Sequence, residues 1–226
     1  MLEKKSFKEN FKIEMEKLKK MTFQDKIWYI KEYYGIQILL TIIVIAILGS
    51  IFYNMIFKKD PVFTAMYLNR PITNESYEKI STEFSTYAKL EETNDYWELK
   101  PNVNVTLKDG IVTGGMEYLA KTNAMIAGQL LDVLVTEEYF INHFANQNIL
   151  VNFEEILPPD LLEIVKDDLV YIKNIDGIEG AFAIDVTNAP IIKESVYVAG
   201  PIYFSILANT KHLDTSILYL KYLYNI

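Results

Sequence analysis

Candidate ligand-binding residues lie in three loops, each of which follows a run with the pattern of a β-strand. Ligands of open α/β sheets bind beyond the carboxyl ends of the strands, so a binding site is expected in these loops. The loops at 69–70, 109–115 and 136–138 supply the candidate ligand-binding residues Arg70, Thr113, Gly114, Gly115, Thr136 and Glu137.

Arg70 and the two glycines are the candidates with the most definite chemistry. Arg70, the single arginine of the chain, can hold a carboxylate through two parallel hydrogen bonds. Gly114 and Gly115 precede a predicted helix and can present backbone N–H groups to an anion. The alternatives are a surface ion pair for Arg70 and a plain loop with a helix cap for the glycines, because the fuller phosphate-binding pattern is missing.

The two histidines do not indicate a catalytic site. His143 falls within the apolar stripe of a predicted helix and His212 stands at a helix start, and neither has a sequence neighbour that would orient it as a base. We therefore expect a core or capping role for each. The sequence contains no His-x-x-x-His, no Gly-x-Ser-x-Gly and no Asp-rich calcium loop, so no catalytic residue, metal or cofactor is predicted. Solvated charge is the expected role of the acidic clusters at Glu91, Glu92 and Asp95, at Glu154 and Glu155, and at Asp167 and Asp168.

The elements that would carry these residues alternate between strand-like and helix-like patterns from Pro61 onward. In 73–90, for example, large apolar residues recur at helical spacings of three and four. Alternating strands and helices predict an α/β domain with one mainly parallel sheet and helices on both sides. The predicted strands are 62–68, 103–107, 131–135, 169–172, 181–186 and 201–207, and the predicted helices are 73–90, 116–129, 160–165, 212–224 and one that begins at Thr136.

An uncharged run of 23 residues, 35–57, stands between the N-terminal part of the chain and this domain. As a helix it is about 34 Å long, enough to cross the roughly 30 Å hydrocarbon core of a bilayer. A cleaved signal peptide would have a shorter apolar run and a small-x-small cleavage site, and neither pattern is found. The run therefore predicts a retained, single transmembrane helix in contact with membrane lipid.

Charge is distributed unevenly on the two sides of this run. Residues 1–34 carry nine lysines and six acidic residues, whereas residues 58–226 have a net charge of −11. Because basic flanks stay in the cytoplasm, we expect a cytoplasmic N-terminus and one extracytoplasmic domain over 58–226, held at the cell membrane. The acidic balance of this domain argues against a nucleic-acid partner. The 226 residues contain no cysteine, so the domain must be held by its core without disulfides.

The cytoplasmic segment 1–34 begins with an amphipathic helical pattern. Ser6 with Glu9 and Thr22 with Asp25 are typical of capping boxes, and the second box starts a helix that continues into the span. Two roles stay open for the first helix, contact with the lipid surface and docking onto a cytoplasmic partner. Its apolar stripe over 6–20 consists of Phe7, Phe11, Met15 and Leu18.

Three stretches of the outer domain resemble bacterial extracellular solute-binding proteins. They are MIAGQLLDVLVTEEYFINHFANQNILVNFEEIL at 125–157, GIEGAFAIDVTNAPIIKE at 177–194, and the strand 203–207 with the Leu- and Tyr-rich helix after His212. The resemblance implies an extracytoplasmic α/β lobe that binds a small molecule or a peptide. Solute-binding proteins close two lobes around a ligand, whereas this chain has material for one lobe and is tied to the membrane by a helix.

Three functional hypotheses of different classes follow. The first is a non-catalytic, membrane-anchored binding module, which should show converging polar groups in a concave site at the strand ends. The second is an accessory or assembly subunit that docks onto a larger membrane protein complex through the transmembrane and N-terminal helices, and it should expose an apolar patch or small residues along the span. The third is an enzyme, for which no motif argues.

Overall fold

The computed structural model of the chain describes residues 7–57, 60–93, 95–108, 111–197 and 200–226. The chain divides into two compact units, Met1–Asp60 and Pro61–Ile226. The first unit contains the long apolar run, and the second contains the predicted α/β domain.

Two helices make up the described part of the first unit, α1 (Phe7–Lys20) and α2 (Phe23–Phe57). One of the two hydrogen bonds of the predicted capping box at the start of α2 is confirmed, since the Asp25 N–H donates to Thr22 Oγ1 at 3.3 Å. The Thr22 hydroxyl also donates to Asp25 Oδ2 at 2.6 Å, which is a contact between side chains. The first predicted box involves Ser6, which lies outside the described residues. Over Phe23–Tyr53, α2 is long and apolar enough to cross a membrane, and none of its most apolar part is buried within the chain.

The second unit contains both strands and helices, as predicted for an α/β domain, although several strands follow one another without a helix between them. Its strands are β1 (Thr64–Leu68), β2 (Glu98–Val103), β3 (Thr106–Lys108), β4 (Ile111–Gly114), β5 (Val133–Thr136), β6 (Leu169–Lys173), β7 (Glu179–Asp185) and β8 (Tyr203–Ile206). Its helices are α3 (Asn74–Tyr87), α4 (Leu90–Thr93), α5 (Met116–Ala127), α6 (Glu138–Ala145), α7 (Phe153–Ile156), α8 (Pro159–Val165), α9 (Pro190–Ser195) and α10 (Leu213–Tyr224), with a 3₁₀ turn at Lys166–Asp168.

Six strands form one sheet in the order β2-β1-β5-β8-β7-β6, and β3 and β4 form a separate antiparallel hairpin. β1 is parallel to β2 and to β5, whereas the pairs β5–β8, β8–β7 and β7–β6 are antiparallel. The sheet is therefore mixed, and the prediction of a mainly parallel sheet describes only one half of it. The antiparallel pairing of β6 with β7 follows from the turn 174–178 between them, in which Gly177 has a φ of 79°. This turn is too short for the crossover that a parallel pair requires.

One predicted strand is misplaced. The run 103–107 covers the end of β2 and the start of β3, whereas β2 begins at Glu98 and contains Lys100 and Pro101. β2 is an edge strand of the sheet, and edge strands tolerate charges and proline. Lys100 and Pro101 interrupt any apolar pattern in β2, so the sequence did not predict this strand. The predicted turn at Asp109 and Gly110 lies outside the described residues.

Helices cover both faces of the sheet. One face packs against α3, α9 and α10 around an aromatic cluster, in which the Phe84 ring meets the Tyr219 ring edge-on at 4.8 Å. The other face packs against α5 and α6, which contribute Met125, Phe140 and Phe144. β1 is buried along its whole length at the centre of this arrangement. The loops that follow β1 and β5 therefore extend from two fully buried strands.

Candidate ligand-binding site

The carboxyl ends of β1 and β5 lie side by side because these two strands are parallel neighbours. Arg70 follows β1, Glu137 follows β5, and Arg70 Nη1 is 4.0 Å from Glu137 Oε2. Thr136, the last residue of β5, is paired with Tyr203 at the start of β8. Three of the predicted site residues, Arg70, Thr136 and Glu137, thus lie together at the carboxyl ends of β1 and β5.

Asn69 connects the loops at this edge. Its Oδ1 accepts the Val105 N–H at 2.7 Å, and its Nδ2 donates to the Val105 carbonyl and to Glu137 Oε1, both at 2.9 Å. Asn69 has a φ of 56°, a left-handed conformation that asparagine tolerates better than most residues. The sequence placed Asn69 in a loop without a role, since no local pattern links it to residues 36 and 68 positions away.

The Arg70 side chain is buried, with 5% of its surface exposed. Nη2 donates to the Pro201 carbonyl and Nη1 faces Glu137, so contacts within the chain already use part of the hydrogen-bonding capacity of the guanidinium. Burial lowers the pKa of Arg70, and the Glu137 carboxylate and the Tyr203 hydroxyl act in the opposite direction. Arginine remains charged under these conditions because its ordinary pKa is so high.

Two further carboxylates, those of Glu138 and Asp185, lie near Tyr203, which is itself close to Arg70. Burial raises the pKa of the half-buried Tyr203, the nearby Glu138 and Asp185 raise it further, and Arg70 lowers it. Asp185 is held by the Thr187 N–H, which donates to its Oδ1 at 2.9 Å. The balance at this edge is one buried cation against three carboxylates, those of Glu137, Glu138 and Asp185. We call the following residues the carboxyl-edge cluster: Asn69, Arg70, Thr136, Glu137, Glu138, Asp185 and Tyr203.

Two buried polar atoms of the cluster have no hydrogen-bond partner among the described residues, Arg70 Nε and Thr136 Oγ1. A buried polar atom left without a partner costs about 1–3 kcal/mol. A molecule that supplies an acceptor to Arg70 Nε or a partner to the Thr136 hydroxyl would recover part of that free energy. The cluster therefore combines three carboxylates, of which Glu138 is exposed and the other two are half-buried, with two buried polar atoms that have no partner.

The predicted glycine loop joins the cluster through packing. Gly115 caps α5 in the left-handed region with a φ of 73°, and a Cβ there would press against the Asn104 carbonyl oxygen and lie 3.0 Å from Val105 Cα. Val105 is in turn held by Asn69. Thr113 and Gly114 belong to β4, where the Thr113 hydroxyl donates to the Thr106 carbonyl at 3.4 Å. Gly115 thus reaches the cluster through Val105, and Thr113 bonds within its own hairpin.

His143 has the packing role expected of it, although it is half-buried on α6. Its ring lies parallel to that of Tyr139, and its Nε2 is 2.8 Å from Gln147 Nε2. His212 corrects the capping interpretation: it occupies the N-cap position of α10, but its side chain makes no capping hydrogen bond. Instead, Nδ1 lies 3.2 Å from both carboxylate oxygens of Asp132.

Asp132 is the residue that sequence reasoning missed. It is 3% exposed, its Oδ2 accepts the Thr64 N–H at 2.8 Å, and its Oδ1 accepts the Thr210 hydroxyl at 2.5 Å. The sequence did contain a signal for this role, because Asp132 is a charged residue inside the apolar run 131–135 and a buried carboxylate needs hydrogen-bond donors around it. Asp132 orients the His212 ring in the way that carboxylates orient histidines in metal sites, but no group of three or more metal-ligating side chains was found among the described residues.

Three surface concavities lie away from the carboxyl-edge cluster. A groove of 590 Å³ runs between α3, α9 and α10, and its lining includes Lys79, Glu194 and Tyr222. Smaller concavities of 260 and 420 Å³ are lined by residues of β2 with α5 and by residues around the β6–β7 turn. None of these three concavities is lined by a residue of the carboxyl-edge cluster, so the concave site expected of a binding lobe at the strand ends is not among them.

Comparisons with models of protein families, with curated proteins and with solved structures found no match to this chain.

Proposed function

We propose that this chain is a single-pass membrane protein whose second unit, Pro61–Ile226, is a non-catalytic binding module on the extracytoplasmic side. The apolar helix α2, whose most apolar part is not buried by any of the described residues, supports the anchor. The lysine-rich segment before it and the acidic domain after it support the orientation. Pro61–Ile226 is a compact unit by itself, which supports a binding domain whose core does not depend on α1 or α2.

The ligand site that we propose is the carboxyl-edge cluster. The observation that carries this proposal is the pair of buried, unpartnered atoms, Arg70 Nε and Thr136 Oγ1, beneath a rim of carboxylates. Three carboxylates favour a ligand with a positive charge, and the unpartnered N–H favours one that also carries a hydrogen-bond acceptor. Amino acids and short basic peptides have this chemistry, which agrees with the resemblance to one lobe of a solute-binding protein.

Calorimetry on the full-length protein in lipid nanodiscs tests this site. The probes are free amino acids and a trilysine peptide, and at least one should bind and raise the melting temperature. Glu137→Gln removes a rim charge but keeps the oxygen that Asn69 donates to, so it should weaken binding about tenfold or more, as expected for loss of a partly buried charge pair.

Glu194→Gln is the matched control, because Glu194 is an exposed carboxylate paired with Lys79 on a different surface. It should bind the same probe as tightly as the natural protein. Binding that is equally weakened by both substitutions would reflect the overall negative charge of the domain, and no binding to any probe would contradict the proposed site.

A second candidate function is the accessory or assembly subunit. The observation that favours it is an exposed apolar stripe on α2 ahead of the uncharged run, formed by Phe23, Ile27 and Ile30, which are 77%, 54% and 38% exposed. Their spacing of four and three residues places them on one helix face. Purification of the full-length protein from detergent should then yield a stoichiometric membrane partner, and Ile27→Asp should release it while the second unit stays folded.

A further inference from the structure

The concavity of 420 Å³ near the β6–β7 turn is lined by both polar and apolar side chains. Its apolar residues include the buried Leu150 and the half-buried Phe182. Both its volume and this mixed lining are typical of sites that bind small molecules. The polar side chains of the lining are all amides or carboxylates, those of Asn148, Asn152, Glu155, Asn174 and Asp176.

Contacts within the chain use the side-chain oxygen of each of the three asparagines. Asn174 Oδ1 accepts the N–H groups of Asp176 and Ile178 at 3.1 and 2.8 Å. Asn148 Oδ1 accepts from Asn174 Nδ2 at 2.7 Å, and Asn152 Oδ1 accepts two further backbone N–H groups. These contacts hold the three amide groups in place without a ligand, as a preformed site requires.

Each of these amides retains one N–H group for a ligand. An asparagine nitrogen carries two hydrogens, and contacts within the chain use one of them. Asn148 Nδ2 donates to Asp176 Oδ2, and Asn152 Nδ2 donates to Glu155 Oε1 at 3.0 Å. Asn174 Nδ2 donates to Asn148. Among the described residues, the second N–H of each amide has no partner, and the second oxygen of each of the two carboxylates has none either.

Charge and polarity define the ligand. Glu155 and Asp176 are the charged residues of the lining, and both are negative, which disfavours an acidic ligand. The single lysine of the β6–β7 hairpin, Lys173, stands across from Glu179 in the ladder, so the surroundings remain acidic. Three N–H donors disfavour a bound metal cation, because a cation needs oxygen ligands and the amide oxygens are already used. The lining therefore fits an uncharged group that both donates and accepts hydrogen bonds.

An apolar surface lies beside these polar groups. A Cβ on Gly180 would be 3.0 Å from Phe182 Cζ and 3.4 Å from Asn152 Cγ, so the missing side chain gives both of these lining residues their space. Ile178, 60% exposed, lines the same concavity. The concavity thus presents an aromatic ring and aliphatic carbons next to the amides.

We propose that this concavity binds a saccharide unit without acidic groups. Sugar hydroxyls donate and accept, and they stand on neighbouring ring carbons. Asn148, Asn174 and Asp176 are bonded to one another, so their unused groups are neighbours as well. The C–H face of a sugar ring can pack against Phe182. An extended peptide spaces its polar groups farther apart along the chain and fits this network less well. The site shares no residue with the carboxyl-edge cluster and is independent of it.

Saturation-transfer NMR on the full-length protein in nanodiscs tests the proposal. The neutral probes are the methyl glycosides of glucose, galactose and N-acetylglucosamine, and at least one should bind. Glucuronic acid should bind about tenfold more weakly or not at all, since its carboxylate meets two others. Maltohexaose and chitohexaose distinguish a polysaccharide from a free sugar as the natural ligand, because a polysaccharide site should bind the longer probe more tightly.

Two substitutions locate the binding. Asn148→Asp removes the unused N–H and should weaken binding about tenfold. Aspartate tolerates the left-handed φ of 56° at this position. Asn146→Asp is the matched control, because it adds the same charge at the end of α6 outside the concavity. Ala208→Phe, at an exposed position of the lining, keeps every polar group but fills the space and should abolish binding.

Four results would overturn the proposal. They are no binding of any neutral saccharide, equal binding of glucuronic acid, binding of acetyl-dialanine amide in place of the saccharides, and equal losses in folded Asn148→Asp and Asn146→Asp. Thermal melting checks that each variant remains folded. Glu137→Gln should leave saccharide binding unchanged, so failure at this concavity and failure at the carboxyl-edge cluster are distinguishable.

Discussion

Asp132 and His212 are 80 residues apart in the sequence, yet His212 Nδ1 lies 3.2 Å from both carboxylate oxygens of Asp132. The same carboxylate accepts the Thr64 N–H at the start of β1 and the Thr210 hydroxyl in the segment after β8. One buried side chain thus holds together the start of β1, the start of β5 and the approach to α10. This contact lies at the opposite ends of β1 and β5 from the carboxyl-edge cluster, so the two can be tested separately.

Asp132→Ala should destabilise the second unit by about 2–4 kcal/mol, because it leaves the Thr64 N–H and the His212 ring without their acceptor. Denaturant unfolding of the full-length protein measures this change as the free energy of unfolding of the second unit. Asp214→Ala, at an exposed position in the first turn of α10, is the control and should cost less than about 1 kcal/mol. Equal effects of the two substitutions would show that the Asp132 contacts do not hold these segments together.

His143→Gln should change stability by less than about 1 kcal/mol, since the ring is half-buried and its hydrogen bond to Gln147 can be made by an amide. Binding of any ligand to the carboxyl-edge cluster should be unchanged. Thermal melting and calorimetry on the same sample measure both quantities. Loss of binding at an unchanged melting temperature would mean that His143 is a functional residue.

Gly115→Ala should destabilise the domain by about 2–4 kcal/mol. A non-glycine residue in the left-handed region costs about 1–2 kcal/mol, and here the added Cβ also presses against the Asn104 carbonyl oxygen and Val105 Cα. Gly177→Ala is the matched control, because Gly177 has a φ of 79° but only a side-chain atom 3.5 Å away. The difference between the two variants in unfolding free energy isolates the clash, and the absence of a difference would argue against the close packing of the glycine loop.

Alkaline pH should unfold the second unit cooperatively. Burial raises the pKa of Tyr67, Tyr219, Tyr222 and Tyr224. The hydroxyls of Tyr222 and Tyr224 also donate hydrogen bonds to Glu83 and Asp168, which raises the pKa of these two tyrosines further. Since the folded pKa lies above the unfolded value of about 10, the contribution of these residues to stability is complete below that pH and is lost as the pH rises above it.

Denaturant midpoints between about pH 8 and 12, on either side of the ordinary tyrosine pKa, measure this dependence, and tyrosinate absorbance reports ionisation. The absorbance of the buried tyrosines should rise together with unfolding. Tyr224→Phe should reduce the slope of stability against pH, and Tyr197→Phe, at an exposed position, should leave it unchanged. A midpoint that stays constant above about pH 10 would contradict the prediction.

The proposed orientation predicts the outcome of proteolysis on intact cells. Protease added outside should remove the second unit after Asp60 and leave residues 1–34 protected. Lysed cells are the control, in which both parts become accessible. Survival of the second unit in intact cells, combined with its digestion after lysis, would show that it faces the cytoplasm.

Local patterns predicted the longer helices of this protein, whereas the short helices α4 and α9 were not predicted. An uncharged run of 23 residues specifies an apolar helix by itself, because a helix satisfies all its backbone hydrogen bonds internally. The Thr22–Asp25 cap depends on residues three positions apart, and α3 and α10 follow from apolar residues at helical spacing. The sequence also indicated which strand ends lie near Arg70 and Glu137, since residues that follow parallel strands share an edge.

Tertiary structure alone decided the order and direction of the strands and the contacts of the polar residues. Whether two apolar runs pair in parallel or antiparallel depends on the crossings between them, and periodicity within each run does not contain that information. β2 went unrecognised because an edge strand does not need an apolar pattern, as Lys100 and Pro101 show. Asn69 with Val105 and Asp132 with His212 are joined by hydrogen bonds across 36 and 80 residues, which form only after the hydrophobic core has brought distant segments together.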